Sequence, residues 1–232
     1  YLVEQQQYFD RAGLYQDGGE DYKDNCERFV FFCRAVVEAI RLLDLRVDIV
    51  HANDWQTGLI PAYLKLECHH MPGYEGIGTL FTIHNMAYQG VFWHWDMLLT
   101  GLDWKYFNWQ QMEFFGNLNL LKTGLTFADR LNTVSPRYAE EIQQAPLGCG
   151  MEAVLQKRRE QLYGIINGVD YTIWNPATDP LIPHNYGPTD LGPKRENKAR
   201  LLHAMELPED DLATPVIGII SRLVDQKGFD LL

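Results

Sequence analysis

"GTLFTIHNMAYQG", residues 78–90, decides how this chain folds. Its first half, Thr79 to Ile83, is a continuous run suited to a buried strand, and it breaks at once into His84 and Asn85. A strand without polar alternation is buried on both faces, as in a parallel sheet covered by helices. Working outward, "RVDIVHAND" (46–54), "RLNTVS" (130–135), "YGIING" (163–168) and "TPVIGIISR" (214–222) read as four more strands. Helical patterns separate them. In "NCERFVFFCRAVVEAIRLLD" (25–44), Phe29, Cys33, Val36, Val37, Ile40 and Leu43 recur at helical spacing. "WQTGLIPAYLKLE" (55–67) predicts a helix disturbed at Pro61, and "NLNLLKTGLTFAD", "MEAVLQKRREQL" and "RENKARLLHAMEL" predict three more. The expected fold is α/β with a mostly parallel sheet.

All five strands end in polar groups: Asn53-Asp54, His84-Asn85, Ser135, Asn167 and Ser221-Arg222. Open α/β sheets bind ligands outside the carboxyl ends of their strands, so these positions are the candidate site. For His84, a strand-ending histidine bonded to a carbonyl and a functional imidazole are equally consistent with position alone. Asp54 either N-caps the following helix or accepts hydroxyl hydrogen bonds, with the Trp55 indole offering a face to a sugar ring. Ser135, followed by Pro136, is read as a helix cap. Arg222 and Lys227 flank a loop before a predicted helix start, an arrangement suited to phosphate. Trp93, Trp95, Trp104 and Trp109 are expected mostly in the core, with one or two as a sugar platform.

Composition narrows the function. The 232 residues carry 31 acids against 20 Lys and Arg, a net charge of −11 that argues against a nucleic-acid partner. An anionic small molecule stays compatible, because screening confines repulsion to about 8 Å. No apolar run reaches the ~20 residues of a membrane span. Cys26, Cys33, Cys68 and Cys149 show no metal-ligand spacing, so free thiols in a reducing compartment are expected, with no metal. "YLVE" reads as a strand end and "GFDLL" as a helix start, from which an internal piece of a longer protein is expected.

Taken together, "VDIVHANDWQTGLIPAYL", "TLFTIHNMAYQGVF", "LLKTGLTFADRLNTVSPRYAEEI", "GIINGVDYTIWNP", "KRENKARL" and "IISRLVDQKGFDLL" resemble bacterial glycogen synthases and plant starch synthases. The resemblance implies a retaining glucosyltransferase of the GT-B type, built from two Rossmann-like domains and needing no cofactor. It implies ADP-glucose as donor and glycogen or another α-1,4-glucan as acceptor, in the bacterial cytoplasm or, for a plant or alga, the plastid. Residues 1–161 would be most of the acceptor-side domain; residues 162–232 would be the interdomain crossing and the start of the nucleotide-sugar domain. By the same resemblance His84 and Asn85 would contact the transferred glucosyl unit, with Asp54 and Trp55 lining the cleft. Arg222 and Lys227 would hold the diphosphate, Asn167 would lie near the crossing, and Tyr15 near the glucan. The family's K-x-G-G-L loop has no counterpart here, since "KTGL" (122–125) reads as helix. Its E-x₇-E motif is matched in spacing only by Glu67/Glu75 and Glu152/Glu160, in the wrong domain. A glucan-binding module without catalysis, or a related transferase with another acceptor, are the competing readings. Retention of Arg222 and Lys227 favours the enzyme, as do the specific "FTIHNMAYQG" and "HANDWQTGL" stretches.

Overall fold

A computed structural model describes residues 1–210, 212–224 and 227–231. The chain divides into two compact units, Tyr1–Asn167 and Gly168–Leu232.

The first unit opens with α1 (Gln6–Phe9) and a small hairpin of β1 (Gln16–Asp17) and β2 (Glu20–Asp21). The Tyr1–Glu4 stretch expected to end a strand has no regular structure. Next comes α2 (Asn25–Leu42), whose buried residues Cys26, Phe29, Val30, Cys33, Val37 and Ile40 form one stripe. Leu43, predicted on that stripe, lies just past the helix end and is exposed.

Strand β3 (Ile49–Asn53) leads through a 3-10 turn (Trp55–Thr57) into α3 (Leu59–Tyr63), which continues as one π-helical turn (Leu64–Cys68). Pro61 sits in the first turn of α3, where its missing N–H has no intrahelical partner to lose, so the irregularity falls after it. Strand β4 (Gly78–Ile83) follows. Then β5 (Val91–Phe92), α4 (Met97–Thr100), β6 (Glu113–Phe114) and β7 (Asn117–Asn119) form an excursion with its own antiparallel sheet, ordered β5-β7-β6. Helix α5 (Leu120–Phe127) is N-capped by Asn119, whose side chain accepts from Lys122 N at 2.8 Å. Strand β8 (Arg130–Thr133), α6 (Pro136–Glu141), α7 (Glu152–Lys157) and β9 (Leu162–Gly164) complete the unit. Ser135 caps α6, as expected, accepting from Tyr138 N at 2.9 Å.

The main sheet is parallel throughout, in the order β3-β4-β8-β9. Its register sets Asn53 beside Thr82 and Ile83 beside Thr133, so all four carboxyl ends share one edge. Phe81, fully buried, lies against α5 at Gly124; a Cβ there would come 2.4 Å from the Phe81 ring, so glycine permits the close approach. The polar chain His51–Thr82–Asn132 crosses three strands through bonds of 2.6 and 2.5 Å, satisfying buried groups inside the sheet.

The expected division at residue 161 and the observed one differ by six residues, because β9 pairs with β8 as the sheet's last strand. Trp93, Trp95, Trp104 and Trp109 correct the expectation of core packing: all four are exposed, and Met97, Leu102, Met112 and Leu118 fill the space beneath the excursion. Trp93, Trp95 and Trp104 instead lie against one another at the surface, with ring centroids 6.4 and 5.4 Å apart along the series.

The second unit contains α8 (Pro193–Ala204). Residues 215–220, predicted as a strand, have no regular structure, and Ile217 and Ile220 are exposed. A strand exists only through its ladder partners, and no paired strand occurs among the described residues of this unit. The helix expected after Lys227 is a 3-10 turn, Phe229–Leu231. Among the described residues, no helix is long and apolar enough to cross a membrane.

Candidate functional site

At the carboxyl edge of the main sheet, β3 ends in Asn53 and β4 in Ile83, so Asp54 and His84 follow on adjacent strands. Asp54 does not cap the 3-10 turn after it. Its Oδ1 accepts from the backbone N–H of His84 at 2.8 Å, strapping the two strand ends together. The Asp54 backbone stands at φ 55°, ψ −177°, a region nearly reserved for glycine. The His84 ring places Nε2 3.1 Å from Asn53 Oδ1.

A cavity of about 490 Å³ opens here. Asn53, Asp54, Gln56 and His84 form its polar side; Val3, Phe9, Tyr15, Phe29 and Phe32 form its apolar wall. Aromatic faces with a few convergent hydrogen-bonding groups suit a sugar, whose C–H faces stack while its hydroxyls find partners.

Phe29 and Phe32 of the wall belong to α2, while Val3, Phe9 and Tyr15 come from the N-terminal segment, which α2 holds in place. Arg28 is buried at 2% exposure and donates to Tyr8 O (2.8 Å), Leu14 O (3.1 Å) and Asn25 Oδ1 (2.6 Å). Arg11 grips Asp24 through two bonds of 2.8 and 2.6 Å, and this pairing lowers the Asp24 carboxyl below the usual carboxylate range. Behind the wall the Cys33 thiol donates to Gln56 O at 3.2 Å, and burial pushes its pKa up to about 12.

The structure thus brings Asp54, His84 and Tyr15 to one cavity. Trp55, expected to line the cleft, is buried at 8% exposure and is not among the cavity's lining residues. Phe29 (centroids 4.7 Å), Phe92 (5.8 Å) and Tyr15 (6.0 Å) enclose it, and Gly90 lies so close that a Cβ would be 2.4 Å from the indole. Trp55 therefore supports Tyr15 from behind. Asn85 shapes the following turn, its Oδ1 accepting from Ala87 N at 3.0 Å, and is not among the cavity's lining residues. Asn167 is the exposed last residue of the first unit. Arg222 and Lys227 are exposed in the second unit, where Val224 N donates to Arg222 O (3.0 Å) and Lys227 N to Val224 O (2.9 Å). Sequence reasoning missed Phe9, Phe32 and Gln56; Asn53 was named among the polar strand ends, beside Asp54, but without a role of its own. Among the described residues no cluster of His, Cys, Asp and Glu could hold a metal ion.

Residues 1–157 match the sequence profile of the starch synthase catalytic domain. The whole chain is 45% identical to a glycogen synthase of Opitutus terrae, covering 48% of that protein. It is 46% identical to a glycogen synthase of Rhodopirellula baltica, covering 46% of it. The chain spans about half the length of the curated relatives it matches. Among solved structures, the catalytic domain of starch synthase IV from Arabidopsis thaliana, bound to ADP and acarbose, superposes with a TM-score of 0.77 at 34% identity. That match covers 91% of this chain and 44% of the plant domain.

Proposed function

The chain belongs to the starch synthase catalytic domain family, and from that premise we propose that its protein transfers glucose from ADP-glucose to the non-reducing end of an α-1,4-glucan with retention of configuration. One observation carries the proposal: the cavity in which Asp54, His84 and Tyr15 meet at the carboxyl edge of the parallel sheet. Departure of the diphosphate leaves positive charge developing at the anomeric carbon, and the Asp54 carboxylate is the anionic group lining this cavity. His84 and Asn85 contact the glucosyl unit, Tyr15 lies near the glucan, and Asn167 lies near the interdomain crossing. Arg222 and Lys227 neutralise the departing diphosphate. The ADP-bound starch synthase supports the adenine nucleotide as donor, and the bacterial relatives support a cytoplasmic setting.

The test compares ADP-glucose with UDP-glucose on one glucan in the full-length protein, beside Arg222→Ala. Charge-assisted hydrogen bonds of about 1.5–3 kcal/mol predict a loss of roughly ten- to a hundredfold in donor kcat/KM. Unchanged kinetics would remove Arg222 from the assignment, and a UDP-glucose preference would overturn the donor. Titration calorimetry with nucleotide decides against a glucan-binding module, which would give no heat. Since the chain spans about half its relatives' length, residues 1–232 alone are expected to incorporate less than a tenth as much glucose as the full-length protein.

A further inference from the structure

We propose that Asn53 is a positioning residue that holds the His84 imidazole in its Nε2–H tautomer and so makes Nδ1 the nitrogen offered to the substrate; the catalytic part of this rests on the glucosyl-transfer reading above. Asn53 is itself firmly placed. Its backbone pairs in register with Thr82 of β4. Its N–H donates to Thr57 Oγ1 (2.6 Å), and that hydroxyl donates back to Asn53 O (2.7 Å). The side chain then has one sensible orientation. Nδ2 faces the carbonyl oxygen of His51 at 3.5 Å, and Oδ1 faces the His84 ring at 3.1 Å. A reversed amide would set Oδ1 against the His51 carbonyl, two acceptors facing each other.

An acceptor opposite Nε2 requires the hydrogen to be on Nε2. In the neutral ring the lone pair then lies on Nδ1, which can accept from a sugar hydroxyl but cannot donate. Two consecutive residues thus set one histidine: Asp54 Oδ1 holds its backbone N–H, and Asn53 Oδ1 holds its ring. Neither bond depends on a ligand. The ring is oriented before substrate arrives, which is how a neighbour raises a turnover rate without touching the substrate itself.

The experiment uses the full-length protein labelled with ¹⁵N-histidine, the His84 signals being assigned by their loss in His84→Gln. Long-range ¹H–¹⁵N correlation at a pH where the ring is neutral is expected to show Nε2 protonated in the wild type. Asn53→Leu, similar in size but without an acceptor, is expected to give a mixture of tautomers. Its kcat should fall roughly three- to tenfold, the value of one neutral hydrogen bond, with the donor KM within about twofold. Asn53→Asp retains an oxygen acceptor and is expected to restore the Nε2–H form. An Nδ1–H signal in the wild type overturns the proposal, as does Asn53→Leu with unchanged tautomer and kcat. Loss of the Nε2–H form in Asn53→Asp also overturns it. If the wild type transfers no glucose, the reaction assignment fails while the tautomer signals still decide the role of Asn53.

Discussion

Asp54 combines a strained backbone with a bond that holds it, and two substitutions separate these effects. At φ 55°, ψ −177° a residue with a Cβ sits about 1–3 kcal/mol above a relaxed conformation. Four contacts hold it there: Asp54 N donates to Thr82 O (2.9 Å), Thr57 N (3.1 Å) and Thr57 Oγ1 (3.2 Å) donate to Asp54 O, and His84 N donates to Oδ1 (2.8 Å). Asp54→Ala removes only the last and keeps the strain. A charge-assisted bond contributes about 1.5–3 kcal/mol, so the alanine variant should lose roughly 3–12 °C in Tm. Asp54→Gly loses the same bond but releases the strain, less ~0.5–1 kcal/mol for glycine's freer unfolded chain. At a mid-range strain of about 2 kcal/mol the glycine variant should therefore be the more stable of the two by about 1–1.5 kcal/mol, with both variants losing activity. Urea denaturation of the three proteins, followed by far-UV circular dichroism, reads the order directly. An alanine variant at least as stable as the glycine variant would show that the backbone at Asp54 is unstrained, and the reasoning would fall.

Arg28→Met should leave Tyr8 O and Leu14 O without their donor, and faster amide exchange confined to residues 8–22 is the expected sign. Gly90→Ala puts a Cβ 2.4 Å from the Trp55 ring at φ +59°, so a loss of about 1–3 kcal/mol with a red-shifted indole emission is expected. Asp24 has its folded pKa lowered first of all by the Arg11 hydrogen bond, so the pair contributes stability fully above the unfolded value of about 4 and loses it as pH falls through the folded value. Proteolysis of residues 8–24 should accordingly rise on acidification below about pH 4 in the wild type, and Asp24→Asn should already be susceptible at neutral pH.

What the sequence determined by itself is local. Thr79–Ile83 has no polar alternation, so it had to be a strand covered on both faces, and Asp54 and His84 then had to stand at the edge where such sheets bind ligands. The stripe from Cys26 to Ile40 needs only the helical period to be recognised. Tertiary structure decided everything that depends on residues distant in the chain. Trp55 became support for the wall because Phe29 and Phe92 close around it from 26 residues before and 37 after. Asp54 straps strands instead of capping its own helix because parallel register brings His84 N within reach, 30 residues away. Residues 215–220 have strand composition without strand structure, since composition supplies side chains while a ladder needs a partner. Asn53 looks like an ordinary strand end in one dimension, and only the pairing of β3 with β4 turns its amide toward the His84 ring. Period and polarity are written residue by residue, whereas which side chains share a cavity is set by register and packing, and these arise only when the strands come together.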